Sequence, residues 1–372
     1  MEPKERGLIA FDDLNLTIVS PGFCTLCGAC EAACPTHSIR ILGRQPKRVH
    51  DCSNDLDLCP ICYDICPHSD ALLMELQSFL QDAPIESENL GRYRRILLAQ
   101  TTDPKIRELA GHSGGVVVSL LSYAMDREFI DGAVASEVMP NLELRPRIAI
   151  TPDDVLSAVE SKFLPSAVAR AFGRLVYEYG RGRIAFVGTP CHVVALRKLE
   201  AWQHRLMEYL RFTIGLFCLW SFSLEHLLDH ISSVYNINAH DIQRIDLARG
   251  FLVQTAGGTF ETPIMEVKHH IMGGCKTCTD FSSEFADLSV GTARPLEGWS
   301  TVIVRTRVGE DILERAVIDG VIGTKDVHEE PMVSAHVLEL AAHKRVLALE
   351  EIRRMKEADE PLPPDAAWTL KL

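Results

Sequence analysis

The stretch Cys24-Thr25-Leu26-Cys27-Gly28-Ala29-Cys30-Glu31-Ala32-Ala33-Cys34-Pro35 decides how the N-terminal part of this chain is read. Three cysteines stand two residues apart, a fourth follows after three more, and a proline closes the run. A cubane 4Fe–4S cluster needs four thiolates converging from different directions, and a tight loop of this spacing supplies three of them. Gly28 and Ala29 are small enough for the backbone to wrap closely. A stretched copy follows, with Cys52, then Cys59, Cys62 and Cys66 before Pro67. Where two such runs share a domain, the last cysteine of each serves the other cluster. The expected groups are therefore Cys24, Cys27 and Cys30 with Cys66, and Cys34, Cys52 and Cys59 with Cys62. Six residues separate Cys52 from Cys59 where two are usual, so Cys52 is the ligand that departs from the pattern. The rival readings are zinc, which prefers C-x2-C pairs set well apart, and disulfides, which need an oxidising compartment.

Four cysteines remain: Cys191 in GTPC (188–191), Cys218 in GLFC (215–218), and the pair Cys275 and Cys278 in GGCKTC (273–278). The total of twelve divides into three groups of four. Cys191 and Cys218 each end an apolar run that reads as a strand. In α/β sheets, ligands gather at the C-terminal ends of strands. Two strand-end thiols and one C-x2-C loop can converge on a metal centre, either a third 4Fe–4S cluster or zinc.

Composition narrows the class. The 372 residues carry a formal net charge of −13, which argues against nucleic-acid binding. A hydrophobic content of 47% suits a globular chain with a substantial core. No stretch approaches the roughly 20 apolar residues of a spanning helix, so membrane association is expected only peripherally, through a partner. The N-terminus, MEPKERGLIAFDD, lacks the apolar segment of a secretory signal. Thiols kept as ligands fit a reducing cytoplasm.

Four regions are expected: a two-cluster iron–sulfur domain over 1–80, a polar linker over 81–92, an α/β domain over 93–330, and a long C-terminal helix with its tail over 331–372. Residues 1–20 read as a strand-like lead and 68–81 as a helix. Strands are expected over 95–100, 131–138, 183–188, 212–218, 286–291 and 301–305, with a hairpin over 242–263 turning at Gly257-Gly258. Helices are expected over 114–127, 152–161, 165–179, 191–202, 224–235, 310–318 and 333–357. Strands alternating with helices mean α/β. His112-Ser113-Gly114-Gly115 precedes an apolar helix, and is either a seat for a dinucleotide pyrophosphate or a plain helix cap. No G-x-G-x-x-G follows a strand, so a nicotinamide dinucleotide is not expected.

Five segments, HSGGVVVSLLSYAMD (112–126), FVGTPCHVVALRKL (186–199), IGLFCLWSFS (214–223), CKTCTDFSSEFADLSVG (275–291) and GWSTVIVRT (298–306), together resemble the coenzyme F420 hydrogenase/dehydrogenase β-subunit family. The resemblance runs from about residue 92 to about 307. The double cysteine run is similar to one branch of it, the F subunit of archaeal F420H2 dehydrogenase complexes, and to the input half of F420-dependent sulfite reductase.

The resemblance implies an oxidoreductase subunit holding FAD, a third 4Fe–4S cluster on Cys191, Cys218, Cys275 and Cys278, and a docking site for coenzyme F420. It places the flavin near Ser113, Gly114 and Gly115 and near Ser161-Lys162-Phe163, with Thr189 beside it. After Lys162 the family usually has an aromatic residue and then Val-Gln-Ser, whereas this chain has Phe163-Leu164-Pro165-Ser166. The implied reaction passes a hydride between the deazaflavin and FAD, with no side chain as general acid or base, and then passes single electrons through three clusters. F420H2 oxidation is the expected direction. The partner is a respiratory complex, heterodisulfide reductase, hydrogenase or formate dehydrogenase. The alternatives are an F420-reducing subunit of a hydrogenase, formate dehydrogenase or heterodisulfide reductase assembly, and a flavin-free electron relay. Lys162, Arg181, Arg183, Arg197 and Lys198 are candidates for a basic groove around the anionic deazaflavin tail, and His112 and His192 for framework residues.

Overall fold

A computed structural model describes residues 10–52, 59–139, 142–156, 163–247 and 250–366. Ser161 and Lys162 lie outside the described residues.

The core is built on an eight-stranded sheet, labelled here β1 (Arg95–Thr101), β2 (Gly132–Val138), β3 (Leu144–Ala149), β4 (Ile184–Gly188), β5 (Leu210–Leu216), β6 (Leu288–Thr292), β7 (Ser300–Val304) and β8 (Ile322–Asp326). Their spatial order is β8-β1-β7-β6-β5-β4-β2-β3. The four inner strands β6, β5, β4 and β2 are mutually parallel, and antiparallel pairs flank them on both sides. Every residue of β4 and of β7 is buried, as expected of strands covered on both faces. The covering helices include α1 (Val116–Asp126), α2 (Val168–Tyr177), α3 (Pro190–Ala201), α4 (Leu224–Tyr235) and α5 (Arg307–Ile318). A three-stranded antiparallel sheet over 242–263 packs with α4 around Phe163, Phe222 and Phe251.

The N-terminal unit is small and loop-rich, with a hairpin of Ile39–Leu42 against Gln45–Arg48. It does not stand apart. Cys27, Ala29, Ile61 and Ile65 share one apolar cluster with Val168, Phe172 and Leu175 of α2. Gly28 has φ +84°, and a Cβ there would meet Arg170 at 3.0 Å. The glycine therefore serves both the wrap of the cysteine loop and its close approach to α2.

Three expectations change. The lead over 1–20 is helical where described, as Ala10–Leu14 and Asn15–Val19. Leu14, Ile18 and Val19 face inward at helical spacing, not at the spacing of two that a strand needs. The helix expected over 68–81 is confined to Leu73–Ser78. The polar stretch over 81–92 is a fixed seam, with Ile85–Ser87 paired to Gly91–Tyr93 and Leu90 buried. Arg305, itself buried, donates to the carbonyls of Leu90 at 2.8 Å and Arg92 at 2.9 Å. A buried guanidinium with five donors satisfies carbonyls that a free linker would leave to water.

The C-terminal helix α6 (Pro331–Glu357) is the longest element. Its buried residues Val333, Val337, Ala341, Lys344, Ala348, Ile352 and Met355 recur every three or four positions, which is a single face. No helix among the described residues is long and apolar enough to cross a membrane.

Candidate functional site

The twelve cysteines are all unpaired, and they gather into three groups. Cys24, Cys27, Cys30 and Cys66 line one cavity together with Leu14, Ile18 and His68. Burial is the largest cause raising the pKa of each of these four thiols. Backbone amides of Leu26, Ala29 and His68 donate to Cys24, Cys27 and Cys66 and oppose that rise. In the second group, burial raises Cys62 far above the ordinary thiol range, and Cys52, Cys59 and Cys34 raise it further. The amide of Ser38 donates to Cys34 Sγ at 3.2 Å. In the third group, burial again leads, and Cys218, Cys191 and Cys278 all raise Cys275. Burial pushes Cys218 up to about 12, and the amide of Ser221 donates to Cys275 Sγ at 3.4 Å.

The groups stand in a row. Cys24 and Cys27 are close enough to Cys191 for its charge to raise the pKa of both. Cys30 is raised in the same way by Cys62. The order is therefore Cys191/218/275/278, then Cys24/27/30/66, then Cys34/52/59/62. Close packing makes the first junction: a Cβ on Gly273 would sit 2.5 Å from the Gly22 carbonyl, and one on Gly274 would overlap the Phe23 carbonyl. Among the described residues, no three His, Cys, Asp or Glu side chains surround a point suited to a single metal ion. A zinc site would draw its sulfurs to roughly 3.8 Å of one another. Buried, mutually repelling thiols with amide donors on sulfur suit a larger polynuclear core, which bonds them as thiolates.

Two buried lysines accompany the first two groups in that row. Lys344 Nζ donates to the carbonyls of Cys218 at 2.7 Å and Asp280 at 2.6 Å. Burial alone would lower its pKa, but Cys278, Cys218 and Asp280 outweigh that and raise it. Lys198 Nζ donates to the carbonyls of Cys66 at 2.8 Å and Ser69 at 2.9 Å, and burial lowers it to about 8. Sequence reasoning missed Lys344. The one available signal was a lone charge in the apolar stripe of α6.

The third group sits where strands end. Cys191 follows β4 and Cys218 follows β5, at the same edge of the sheet. Strand β1 runs in the same sense as β6, since each is antiparallel to β7. Gly114, beyond β1, therefore shares that edge, three strand spacings or about 14 Å from Cys218. Gly114 has a packing role as well. A Cβ there would lie 2.5 Å from the Ala99 carbonyl oxygen and 2.7 Å from Ser300 N. Gly115 is the N-cap of α1 in the left-handed region, with φ +65°. Ser113 is exposed and its hydroxyl donates to the Ala110 carbonyl at 3.1 Å, so its side chain does not cap α1.

The other candidates separate. Thr189 caps α3 in a reciprocal box with His192. The His192 Nε2–H donates to the Ser166 carbonyl at 2.6 Å, while Nδ1 lies 2.8 Å from the Thr189 hydroxyl and accepts from the Thr189 amide at 3.1 Å. Burial lowers its pKa to about 4, so it is a neutral framework residue. His112 is exposed beside Glu297 at 3.5 Å. Phe163 is spent in core packing, its ring edge-on to Phe251 at 4.7 Å.

Among the described residues, which leave out Lys162, the candidates for a basic groove do not come together. Arg197 is buried, donates to Asp287 at 3.0 Å and stacks over Phe79 at 3.8 Å. Lys198 is buried beneath the N-terminal unit. Arg183 pairs with Asp131 at 3.7 Å and, like Arg181, precedes β4, at the sheet edge away from Cys191.

A 4Fe–4S ferredoxin domain joined to an α/β core with a large mixed sheet and a C-terminal helix defines an iron–sulfur oxidoreductase class. Residues 17–40 match the model for the 4Fe-4S binding domain. Residues 96–172 and 181–330 match the N-terminal and C-terminal models of the coenzyme F420 hydrogenase/dehydrogenase β subunit. The coenzyme F420 hydrogenase β subunit of Methanothermobacter thermautotrophicus is 31% identical over 281 residues, 74% of this chain and 99% of that relative. The chain belongs to the coenzyme F420 hydrogenase/dehydrogenase β-subunit family. The F420H2 dehydrogenase F subunit of Methanosarcina mazei is 29% identical over 308 residues, 79% of this chain and 82% of that relative. The solved F420-reducing NiFe hydrogenase complex from Methanosarcina barkeri contains a similar chain, with TM-score 0.69 and 28% identity, covering 75% of this chain and 98% of its own.

Proposed function

We propose that this chain is the F420-facing subunit of a larger electron-transfer complex, exchanging a hydride with coenzyme F420 and single electrons with a protein partner, with F420H2 oxidation as the working direction. FAD, when bound, supplies the conversion between two-electron and one-electron chemistry that a deazaflavin and iron–sulfur clusters cannot perform between themselves. The flavin seat is the sheet edge between Gly114-Gly115 and Thr189. Cys191, Cys218, Cys275 and Cys278 hold the cluster nearest it. Cys24, Cys27, Cys30 and Cys66 hold the next, and Cys34, Cys52, Cys59 and Cys62 the last. The single observation that carries this reading is the row of three cysteine groups leading away from that edge. His192 is committed to Ser166 and Thr189, so this reading gives it no part in proton transfer.

The reverse direction, F420 reduction, is supported by the likeness to an F420-reducing hydrogenase complex. The test of the class is anaerobic purification with assay of iron, labile sulfide and flavin, followed by turnover of F420H2 with a one-electron dye. About twelve iron atoms, at four per cluster, with FAD and F420H2-dependent dye reduction are expected. Absence of flavin with all iron present would leave only an electron relay. Comparing rates of F420H2 oxidation and F420 reduction with each native partner assigns the direction.

A further inference from the structure

Lys344 is 2% exposed and Lys198 0%. Among the described residues, neither ammonium forms an ion pair with a carboxylate. Each donates instead to the backbone carbonyl of a cysteine in its own group, Cys218 for Lys344 and Cys66 for Lys198. The two come from different elements, α6 and α3, so the arrangement arises twice independently. A fully buried cation is costly without negative charge close by. At both places a cysteine leads the negative charges acting on the ammonium, Cys278 ahead of Asp280 for Lys344 and Cys66 ahead of Asp365, Asp70 and Asp64 for Lys198. Among the described residues, the outer group has no such lysine. The cation acting on Cys52 is Arg48, which is solvent-accessible and spent on Asp12 at 3.4 Å, where screening weakens it.

We propose that Lys344 and Lys198 are positioning residues that set the reduction potentials of the two inner clusters, each fixing a cysteine backbone through its carbonyl and holding a positive charge beside the cluster. This rests on the cluster assignment above. A cluster gains one negative charge on reduction, so a fixed cation stabilises the reduced form and raises its potential. Electrons then reside preferentially on the inner two clusters rather than on the outer one, unless a bound partner changes the balance.

The experiment uses the full chain, purified anaerobically, with iron and sulfide assay and redox titration followed by electron paramagnetic resonance. Lys344→Met is expected to retain all iron and to shift the reduction equilibrium of the Cys191/218/275/278 cluster at least tenfold toward the oxidised form, about 59 mV more negative for one electron. Lys344→Arg should stay near the wild-type potential. Lys198→Met should shift the Cys24/27/30/66 cluster and leave the other two in place. Unchanged potentials with full iron would overturn the proposal. If Lys344→Met loses iron, Lys344→Gln keeps a donor for the carbonyls without the charge, and its potential must still fall. Iron loss in both, restored by Arg, would assign Lys344 to assembly alone and overturn its potential-setting role. A wild-type chain without iron on these cysteines would instead refute the cluster assignment.

Discussion

Replacing Gly114 by alanine should damage both the fold and the proposed flavin seat. The added Cβ would stand 2.5 Å from the Ala99 carbonyl oxygen and 2.7 Å from Ser300 N. Carbon–oxygen contacts normally settle at about 3.3 Å or more, so the start of α1 must retreat by roughly 0.8 Å. Neither obstacle is a side chain that can turn away, because Ala99 and Ser300 are paired backbone in β1 and β7. The retreat strains two bonds, Gly114 N–H to Ser300 Oγ at 3.0 Å and Thr101 N–H to the Gly114 carbonyl at 2.7 Å. Overpacking costs about 1–3 kcal/mol, and each weakened bond adds about 1 kcal/mol. A loss of about 3–5 kcal/mol corresponds to a Tm lower by roughly 6–20 °C for a domain of this size. Gly115→Ala is the control. Its φ of +65° costs about 1–2 kcal/mol for an alanine, but its Cβ meets side-chain methyls, those of Ile106 and Thr101 at 3.0 Å and that of Ala110 at 3.3 Å, so it should lose about half as much. Thermal unfolding of anaerobic protein gives the Tm, and fluorescence of flavin released on denaturation gives occupancy. A Gly114→Ala protein within about 2 °C of wild type and fully flavinated would refute both the packing argument and the placement of the seat.

Cys278→Ala should lower iron from about twelve to about eight atoms per chain, and flavin reduction by F420H2 should survive while dye reduction collapses; unaltered dye turnover would show that the relay order is wrong. NADH and NADPH should be poor donors, and turnover with either comparable to that with F420H2 would refute the substrate class. His192, with its pKa depressed to about 4 by burial, stays neutral in the fold while the unfolded chain gains a proton below about 6.5. Its contribution to stability is therefore complete above about pH 6.5 and is lost as pH falls toward 4, and His192→Gln should flatten the acid limb of a Tm-versus-pH profile. An equally steep limb in that variant would place the acid sensitivity elsewhere.

The α/β alternation was legible because strands buried on both faces, such as Ile184–Gly188, are unbroken apolar runs. The cysteine spacing was legible because a loop ligating a cubane has little geometric freedom. What failed did so for identifiable reasons. β3 and β8 were missed: Leu144–Ala149 carries two arginines and a proline, and Ile322–Asp326 buries only one residue fully. Outer strands need little apolar content. The seam over 81–92 read as a linker because its order depends on Arg305, more than two hundred residues away. Arg197 and Lys198 read as candidates for an accessible basic groove, since basic residues are mostly exposed and their partners Asp287 and the Cys66 carbonyl are distant in sequence.

The same distance in sequence explains why the N-terminal unit and the core belong to one site. The junction between the first two cysteine groups crosses from one chain segment to another, since the Cys275 loop packs on Gly22 and Phe23, and α2 of the core also packs on the loop of Cys27, whose carbonyl accepts from the Ala169 amide at 3.1 Å. Helix α6 spans all of it. Twenty-seven residues make a rod of about 40 Å. Val333 packs with Leu98 of β1, Val337 and Ala341 with Phe281, and Met355 with Ile18 and Phe23 of the N-terminal unit. Lys344 lies between these contacts, beside Cys218 and Cys278. An element whose two ends are anchored on different parts of the molecule cannot shift without moving the charge at its middle. The fold therefore couples the docking of the iron–sulfur domain to the electrostatics of the cysteine group at the sheet edge. Truncating α6 before residue 344 should therefore disturb that group before it disturbs the eight-stranded sheet.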